Sequence, residues 1–411
     1  MSEAQTNLAN AATDATAADD ATRAVSDAAG TPAQIDDFDR DVWCLAGIPV
    51  DVSTIDQALG ALDAAARDRS RLSFVTPNVN WLVRGLREPE FRRQIVDADL
   101  SLVDGAPLAA LAKLLNVPAP SRVAGADIFD ALRRRPGFAS RRIKVFFFGG
   151  RDGAGEKAVE VINREGGGVE GVGSLNPGHG DIESMSTPEI LDEINRAEPD
   201  FVLVSLGAKK GQAWIDHNLA NLNAPIVAHL GAVVDFAAGS VRRAPTFFQQ
   251  AGLEWVWRIK EDPALWRRYF EDGLGLMGIG LARVAPQLLS MRQADETEAG
   301  DARVEATAQG ARVRLTGALT RASLGPVREA LRAAAEIGGD IRLDFSQATH
   351  FDRAFLGQVL MLEKQLMRKG GTISIEGSTR AQRSMFRANA MNYAIAPAVE
   401  TDAEDRQPAA A

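Results

Sequence analysis

The sequence has almost none of the residues that staple or metallate a fold. Cys44 is the single cysteine in 411 residues, so no internal disulfide can form, as expected of a chain kept in a reducing cytoplasm. Four histidines, His179, His217, His229 and His350, are scattered with no ligand spacing, which argues against a zinc centre. Long apolar runs are missing too. The best candidate, GLGLMGIGLA, covers ten residues between Asp272 and Arg283, short of the roughly 18 that a membrane span requires. The N-terminal MSEAQTNLANAATDATAADD lacks the basic start and apolar centre of a secretory signal. Positive charge is in deficit, and a net charge of −9 argues against nucleic acid as a partner.

Apolar material is ample, 45% of the chain, and the length suits two domains plus tails. The charge is uneven: residues 1–40 hold eight acids and two bases, whereas residues 241–270 hold six bases and three acids. The first segment, rich in Ala, Asp and Thr, is expected to be a disordered acidic tail. Over residues 41–290, apolar runs of strand length (Ser73–Val75, Leu100–Val103, Ile143–Phe148, Phe201–Leu206, Ile226–Leu230) alternate with amphipathic segments such as Glu90–Val96, Pro107–Leu115, Ala154–Asn163 and Pro188–Arg196. The alternation predicts an α/β domain with a largely parallel, Rossmann-like sheet and helices on both faces. The polar run RQADETEAGDARVEA then reads as a linker, placed at 291–302, across which few contacts are expected. Residues 303–397 give strands ARVRLTGAL, IRLDFS and TISIEG between helical segments, a small second α/β unit, and residues 398–411 are expected to fray.

Strands of a parallel sheet end on one edge, where open α/β sheets bind ligands. Thr76-Pro77-Asn78 closes the first apolar strand, Asp104-Gly105 the next, Gly149-Gly150 and Leu206-Gly207 two later ones, and Gly231 with Asp235 the last. RVAGADIFDAL adds Arg122, Gly125 and Asp127. Each piece has an ordinary reading: Asn78 or Asp127 as a helix cap, Asp104-Gly105 as a turn, Arg122 in a surface ion pair. GGRDGAG is not GxGxxG and does not follow the first strand, so it is a weak dinucleotide signal. Converging on one edge, these residues nonetheless mark a candidate site.

Two stretches, TPNVNWLVRGLREPEFRRQIVDADLSLVDGAPLAALAKLLNVPAPSRVAGADIF and HLGAVVDFAAGSVRRAPTFFQQAGLEWVWRIKEDPALWRRYF, resemble the WecG/TagA/CpsF glycosyltransferases. The shared motifs are T-P-N, D-G-x-P-L, R-V-x-G-x-D, G-A-x-x-D-F-x-A-G and R-A-P followed by L-E-W. The resemblance implies an inverting transfer of an N-acetylmannosaminyl or related sugar from UDP to a lipid-pyrophosphate-linked acceptor at the inner membrane face. It places the base on Asp104, the threonine and asparagine on Thr76 and Asn78, and the pocket arginine on Arg122. An acceptor hydroxyl needs such a base, and a departing UDP needs cations or helix N-termini. Asp97-Ala98-Asp99 looks like a metal motif but precedes its strand, at the wrong end of the sheet, and reads as surface. The reading is therefore metal-independent and cofactor-free, with Arg258, Arg267 and Arg268 meeting the leaving group. For Arg258 the alternative is an i,i+4 pair with Glu254. The family pattern L-G-x-P-K-Q-E is Leu206-Gly207-Ala208-Lys209-Lys210-Gly211-Gln212 here, so Gln212 aligns only with a local shift. Phe247, Phe248, Trp255, Trp257 and Trp266 among the bases suit a membrane surface, or else pack onto the sheet or a partner subunit.

The C-terminal run IRLDFSQATHFDRAFLGQVLMLEKQLMRKGG resembles a STAS domain. Regulatory members phosphorylate the second serine of D-S-S-G-L-G. Here Asp352-Arg353-Ala354-Phe355-Leu356-Gly357 puts alanine at that place, which implies that the switch is gone and leaves docking of a protein partner or self-association. Two rival readings stand beside the transferase. A nucleotide-sugar epimerase or dehydrogenase lacks its GxGxxG and its Tyr-x-x-x-Lys, and a non-catalytic scaffold leaves Thr76, Asn78 and Asp104 unexplained.

Overall fold

The computed structural model describes residues 35–118, 122–138, 141–290 and 299–395. Of the expected tails and linker, residues 1–34, 291–298 and 398–411 lie outside the described residues. The described chain opens on a hairpin, β1 (Val42–Leu45) and β2 (Ile48–Asp51). Neither strand stands out in the sequence, because each is four residues long and β2 carries Pro49. Six strands follow: β3 (Leu72–Val75), β4 (Leu100–Ser101), β5 (Ile143–Gly149), β6 (Val169–Leu175), β7 (Phe201–Ser205) and β8 (Ile226–His229). They form one sheet in the order β4-β3-β8-β7-β5-β6 with every pairing parallel.

The sheet is buried on both faces, which is why its strands read as unbroken apolar runs. In β5, Val145 and Phe147 enter the core on one face while Phe146 and Phe148 enter the core on the other. Edge strand β6, VEGVGSL, is the one that apolar patterning misses, since its two glycines and glutamate carry little strand signal. From β3 the chain moves to β4 on one side, and the later strands fill the other side. The order therefore reverses beside β3, which places a crevice at the C-terminal edge near Thr76.

The second unit is a five-stranded sheet in the order β13-β12-β11-β10-β9, from β9 (Asp301–Thr307), β10 (Gly310–Leu319), β11 (Asp340–Phe351), β12 (Ile373–Glu376) and β13 (Ala394–Ile395). β9 is antiparallel to β10 and the other pairings are parallel. The run read as a linker thus ends as an edge strand: DARVEAT is polar because most of it faces solvent.

Few contacts were expected between the two units, and the structure shows the opposite. Helix Arg353–Lys369 packs against β1 so closely that a Cβ on Gly357 would lie 2.0 Å from the Val42 carbonyl oxygen. One apolar core runs through both, with Cys44 and Ile48 of the hairpin beside Leu356, Val359 and Leu360 of the helix. The acidic segment is corrected at its end as well. Asp37 and Arg40 are not solubilising charges but buried ones, 2% and 7% exposed. Lys364 Nζ, fully buried, donates to Asp37 at 2.8 Å and to Asp99 at 3.0 Å. Arg40 donates from Nη1 to Asp37 and from Nε and Nη2 to Asp51, whose carboxylate also accepts from the Ser101 N–H of β4. Asp97 and Asp99 do lie at the N-terminal end of β4, but Asp99 is interface rather than surface, 3% exposed. Burial pushes its carboxyl up, and Lys364, the Ser73 N–H and Arg368 outweigh that and hold it below the usual range.

Candidate active site

Three loops meet at the edge near β3, tied by backbone hydrogen bonds. Leu102 N–H donates to Val75 C=O at 2.9 Å, Asp104 N–H to Pro77 C=O at 2.8 Å, and Val123 N–H to Val103 C=O at 2.8 Å. The Thr76-Pro77-Asn78 turn, the Asp104 loop and the Arg122 loop are thereby fixed relative to one another. Gly125, which starts helix Gly125–Arg134, permits the closest approach: a Cβ there would lie 2.5 Å from a Leu230 methyl carbon and 3.3 Å from Thr76 Oγ1. Thr76 is buried behind this contact.

Asp104 is half-buried at the mouth, and its carboxyl is pushed up to about 7. Burial is the main cause; Arg122 and Arg258 pull it down while Glu254 and Asp127 push it up. Arg122 donates to Asp127 at 2.9 Å and to Glu254 at 2.5 Å. Arg243 grips the other oxygen of Asp127 and reaches Asp130 at 2.6 Å. Burial opposes the charge on Asp127, but Arg243 and Arg122 prevail and hold its carboxyl low.

The predicted residues divide into those the fold gathers and those it does not. Asp104, Arg122, Asp127 and Arg258 come together with Thr76. Asn78 is the N-cap of helix Val79–Gly85, its Oδ1 accepting from Trp81 N–H at 3.3 Å, so the ordinary reading is right for that atom. For Asp127 it is not: Ala124 is the cap, and Asp127 is ion-paired in the first turn. Gly149, Gly150, Gly207 and Gly231 all take positive φ at the ends of their strands. Asp235 lies behind them on helix Val233–Ala237, its Oδ2 4.0 Å from Arg151. Burial raises its carboxyl, against Arg151 and Arg258. Gln212 is buried on helix Ala208–Asn218. Its Oε1, Ser205 Oγ, His229 Nε2 and Asp235 Oδ1 are buried with no hydrogen-bond partner in the described protein.

Arg258 makes no ion pair with Glu254; its guanidinium lies 5.7 Å from the Phe236 ring centre, and its charge draws the carboxyls of Asp104 and Asp235 down against burial. Arg267 and Arg268 do not join the site. Arg267 is exposed with an i,i+4 partner in Glu271, and Arg268 lies over Tyr269. The aromatics divide likewise. Phe247, Trp255 and Trp266 are exposed, while Phe248 and Trp257 are half-buried against each other, rings 5.7 Å apart. The residues that single-site reasoning missed are Arg243 and Glu254. Both stand inside quoted motifs, R-A-P and L-E-W, and that was the signal available for them.

At the second unit, the residue expected to align with the serine of regulatory STAS domains is Ala354. Ala354 is fully buried and Arg353 is 4% exposed, with Asp352 capping the helix by accepting from Phe355 N–H at 2.9 Å.

Comparison with known proteins agrees with this architecture. Residues 43–287 match the glycosyl transferase WecG/TagA/CpsF family, and residues 302–395 match the MlaB-type STAS domain. A protein named N-acetylglucosaminyldiphosphoundecaprenol N-acetyl-beta-D-mannosaminyltransferase from Bacillus spizizenii is 32% identical over 209 residues, 50% of this chain and 78% of the relative. Its namesake in Bacillus subtilis is 27% identical over 216 residues, 52% of this chain and 77% of that relative. Among solved structures, the unphosphorylated anti-sigma factor antagonist SpoIIAA aligns with 24% of this chain and 89% of its own at 19% identity and a TM-score of 0.22. The chain belongs to the WecG/TagA/CpsF family of glycosyltransferases and carries a STAS domain behind its transferase domain.

Proposed function

We propose that this glycosyltransferase moves a sugar of the N-acetylmannosamine type, its uronate or a glucose-type sugar, from UDP to a lipid-pyrophosphate-linked acceptor, with inversion and without a metal, in surface polysaccharide or glycolipid assembly. The observation that carries the reading is Asp104, a carboxyl raised to about 7 at the edge of a parallel sheet between Arg122 and Arg258. A base for a sugar hydroxyl should be half-ionised near working pH. Asp104 takes the proton of the acceptor hydroxyl as its oxygen bonds to the anomeric carbon. The bond to UDP breaks on the opposite face, and the electron pair leaves with the diphosphate. In this reading Arg258 and Arg122 meet that charge. Asp235 and the unpartnered Ser205 Oγ and His229 Nε2 offer hydrogen-bonding capacity to the nucleotide half.

The test is transfer by purified full-length protein from a panel of UDP-sugars to a detergent-solubilised lipid-linked acceptor, read as UDP release, with and without EDTA. We expect release with an N-acetylmannosamine-type donor and no loss in EDTA. Activity abolished by EDTA and restored by Mg²⁺ or Mn²⁺ would refute the arginine-only account, and a nicotinamide absorbance change would favour the epimerase or dehydrogenase reading.

A lipid acceptor calls for a membrane surface. Among the described residues no helix is long and apolar enough to cross a membrane. Helix Leu265–Ile279 instead exposes a stripe, Trp266, Phe270, Leu274 and Met277, prolonged by Leu281, flanked by Arg267 and Arg268. Spacings of three and four put these on one face. A groove of about 290 Å³, lined by Val83, Leu86, Leu274 and Ile279 together with Arg87 and Arg283, opens beside the stripe. The helix is pinned by Asn80 Nδ2, which donates to buried Asp272 at 2.9 Å. The double substitution Phe270→Glu, Leu274→Glu is expected to cut co-sedimentation with anionic vesicles by about tenfold or more, since each buried aromatic or leucine is worth about 1.5–3 kcal/mol. Binding unchanged by it would place the membrane contact elsewhere.

A further inference from the structure

We infer that Glu254 is a latch: its carboxylate holds the anion place on Arg122, and keeps the C-terminal segment closed across the Asp104 loop, until a diphosphate displaces it. The inference deepens the transferase reading and rests on it. Arg122 is built as an anion receiver whose two arms differ. One arm is anchored from behind by Asp127, itself held by Arg243, which Asp130 holds in turn. The other arm, Nη1, meets only the Glu254 carboxylate, at 2.5 Å, among the described residues. A carboxylate and a phosphate oxygen offer a guanidinium the same acceptor geometry, so Glu254 stands where a ligand's diphosphate oxygen would bind.

The segment that carries Glu254 is suited to move. Helix Glu254–Glu261 starts at this residue and has no fully buried side chain, with Trp257, Arg258 and Ile259 half-buried, and Trp255 and Val256 are exposed. Its approach runs over the site itself. Gly252, at φ +70°, sits where a Cβ would lie 2.6 Å from the Ala106 Cβ, and Ala106 follows Asp104-Gly105. The rest of the segment's hold is modest: Trp257 packs on Phe248 and its Nε1 donates to Arg242 C=O at 3.1 Å, and Arg258 lies over Phe236. The Glu254–Arg122 ion pair is thus the direct tie to the site's arginine, and the segment's closure is coupled to the occupancy of that arginine.

A diphosphate is present in both proposed substrates, in UDP and in the lipid-linked acceptor, and the test separates the two. Binding of UDP and of farnesyl diphosphate, a short lipid diphosphate, is measured by titration calorimetry on full-length wild type, Glu254→Gln and Arg122→Gln, with Glu254→Ala as a second variant at the latch. Removing the competing carboxylate is expected to tighten one of these ligands by about 3- to 10-fold. The ligand that tightens is the one that takes the place of Glu254. In an Arg122→Gln background the same substitution is expected to have no effect, as coupling between two contacting residues requires. Unchanged or weaker binding of both ligands in Glu254→Gln and Glu254→Ala would overturn the latch, because Glu254 would then merely hold Arg122 in place, while UDP binding by the wild type would leave the transferase reading standing. Wild type that binds neither ligand would bring down both.

Discussion

Asp104→Asn is expected to lower kcat by about 10² to 10⁴ while UDP still binds. Asparagine keeps the size of the side chain and the backbone bond from Asp104 N–H to Pro77 C=O, but it cannot take a proton. In the wild type the rate is expected to rise with pH through about 7 and level off above it, following ionisation of Asp104. Stability supplies a second reading with a definite sign. The folded carboxyl, at about 7, lies above the unfolded value of about 3.9, so the folded state binds this proton more tightly. The group therefore favours folding at low pH, and that contribution is lost as pH rises from about 4 to about 7. Asn cannot ionise, so the variant is expected to melt higher than wild type at pH 8 and level with it near pH 4. Near-native turnover on the true acceptor would move the base elsewhere.

The second large effect concerns the STAS domain. A chain ending at residue 290 is expected to lose solubility and activity together. The cut would bare the β1–β2 hairpin and leave Asp37 and Asp99 without Lys364, which is fully buried between them. Lys364→Met tests the same point in the intact chain. Removing one partner of a buried charge cluster costs about 3–5 kcal/mol, so the melting transition should fall clearly. Asp99, normally held low by Lys364, should then make the loss sensitive to pH. A soluble 1–290 with full activity on a soluble acceptor analogue would show that the two domains are separable modules, as the polar linker had suggested.

How much of this was legible in advance follows from the kind of signal each feature leaves. The strands of the parallel sheet are buried on both faces, so Ile143–Gly149 and Phe201–Ser205 were plain as apolar runs. Asp104, Arg122 and Asp127 were plain as polar residues where such runs stop. Glu254 stands in the L-E-W motif, but nothing local names its partner Arg122, more than a hundred residues away. Its i,i+4 spacing pointed to Arg258, and folding brought it to Arg122 instead. Arg267 and Arg268 shared the basic window yet face solvent, since one turn of helix decides which side a charge takes.

By itself, then, the sequence determined the parallel α/β sheet, the edge on which its polar residues gather and the small α/β unit at the C-terminus, because apolar periodicity and turn residues are local properties. Only the tertiary structure decided the partners of the charges. Asp37 and Lys364, more than three hundred residues apart, could each have been a solvated surface charge. They became a buried pair because helix Arg353–Lys369 docks on the β1–β2 hairpin. Burial turns their charge into a strong mutual requirement, and burial is not a property of any single stretch of chain.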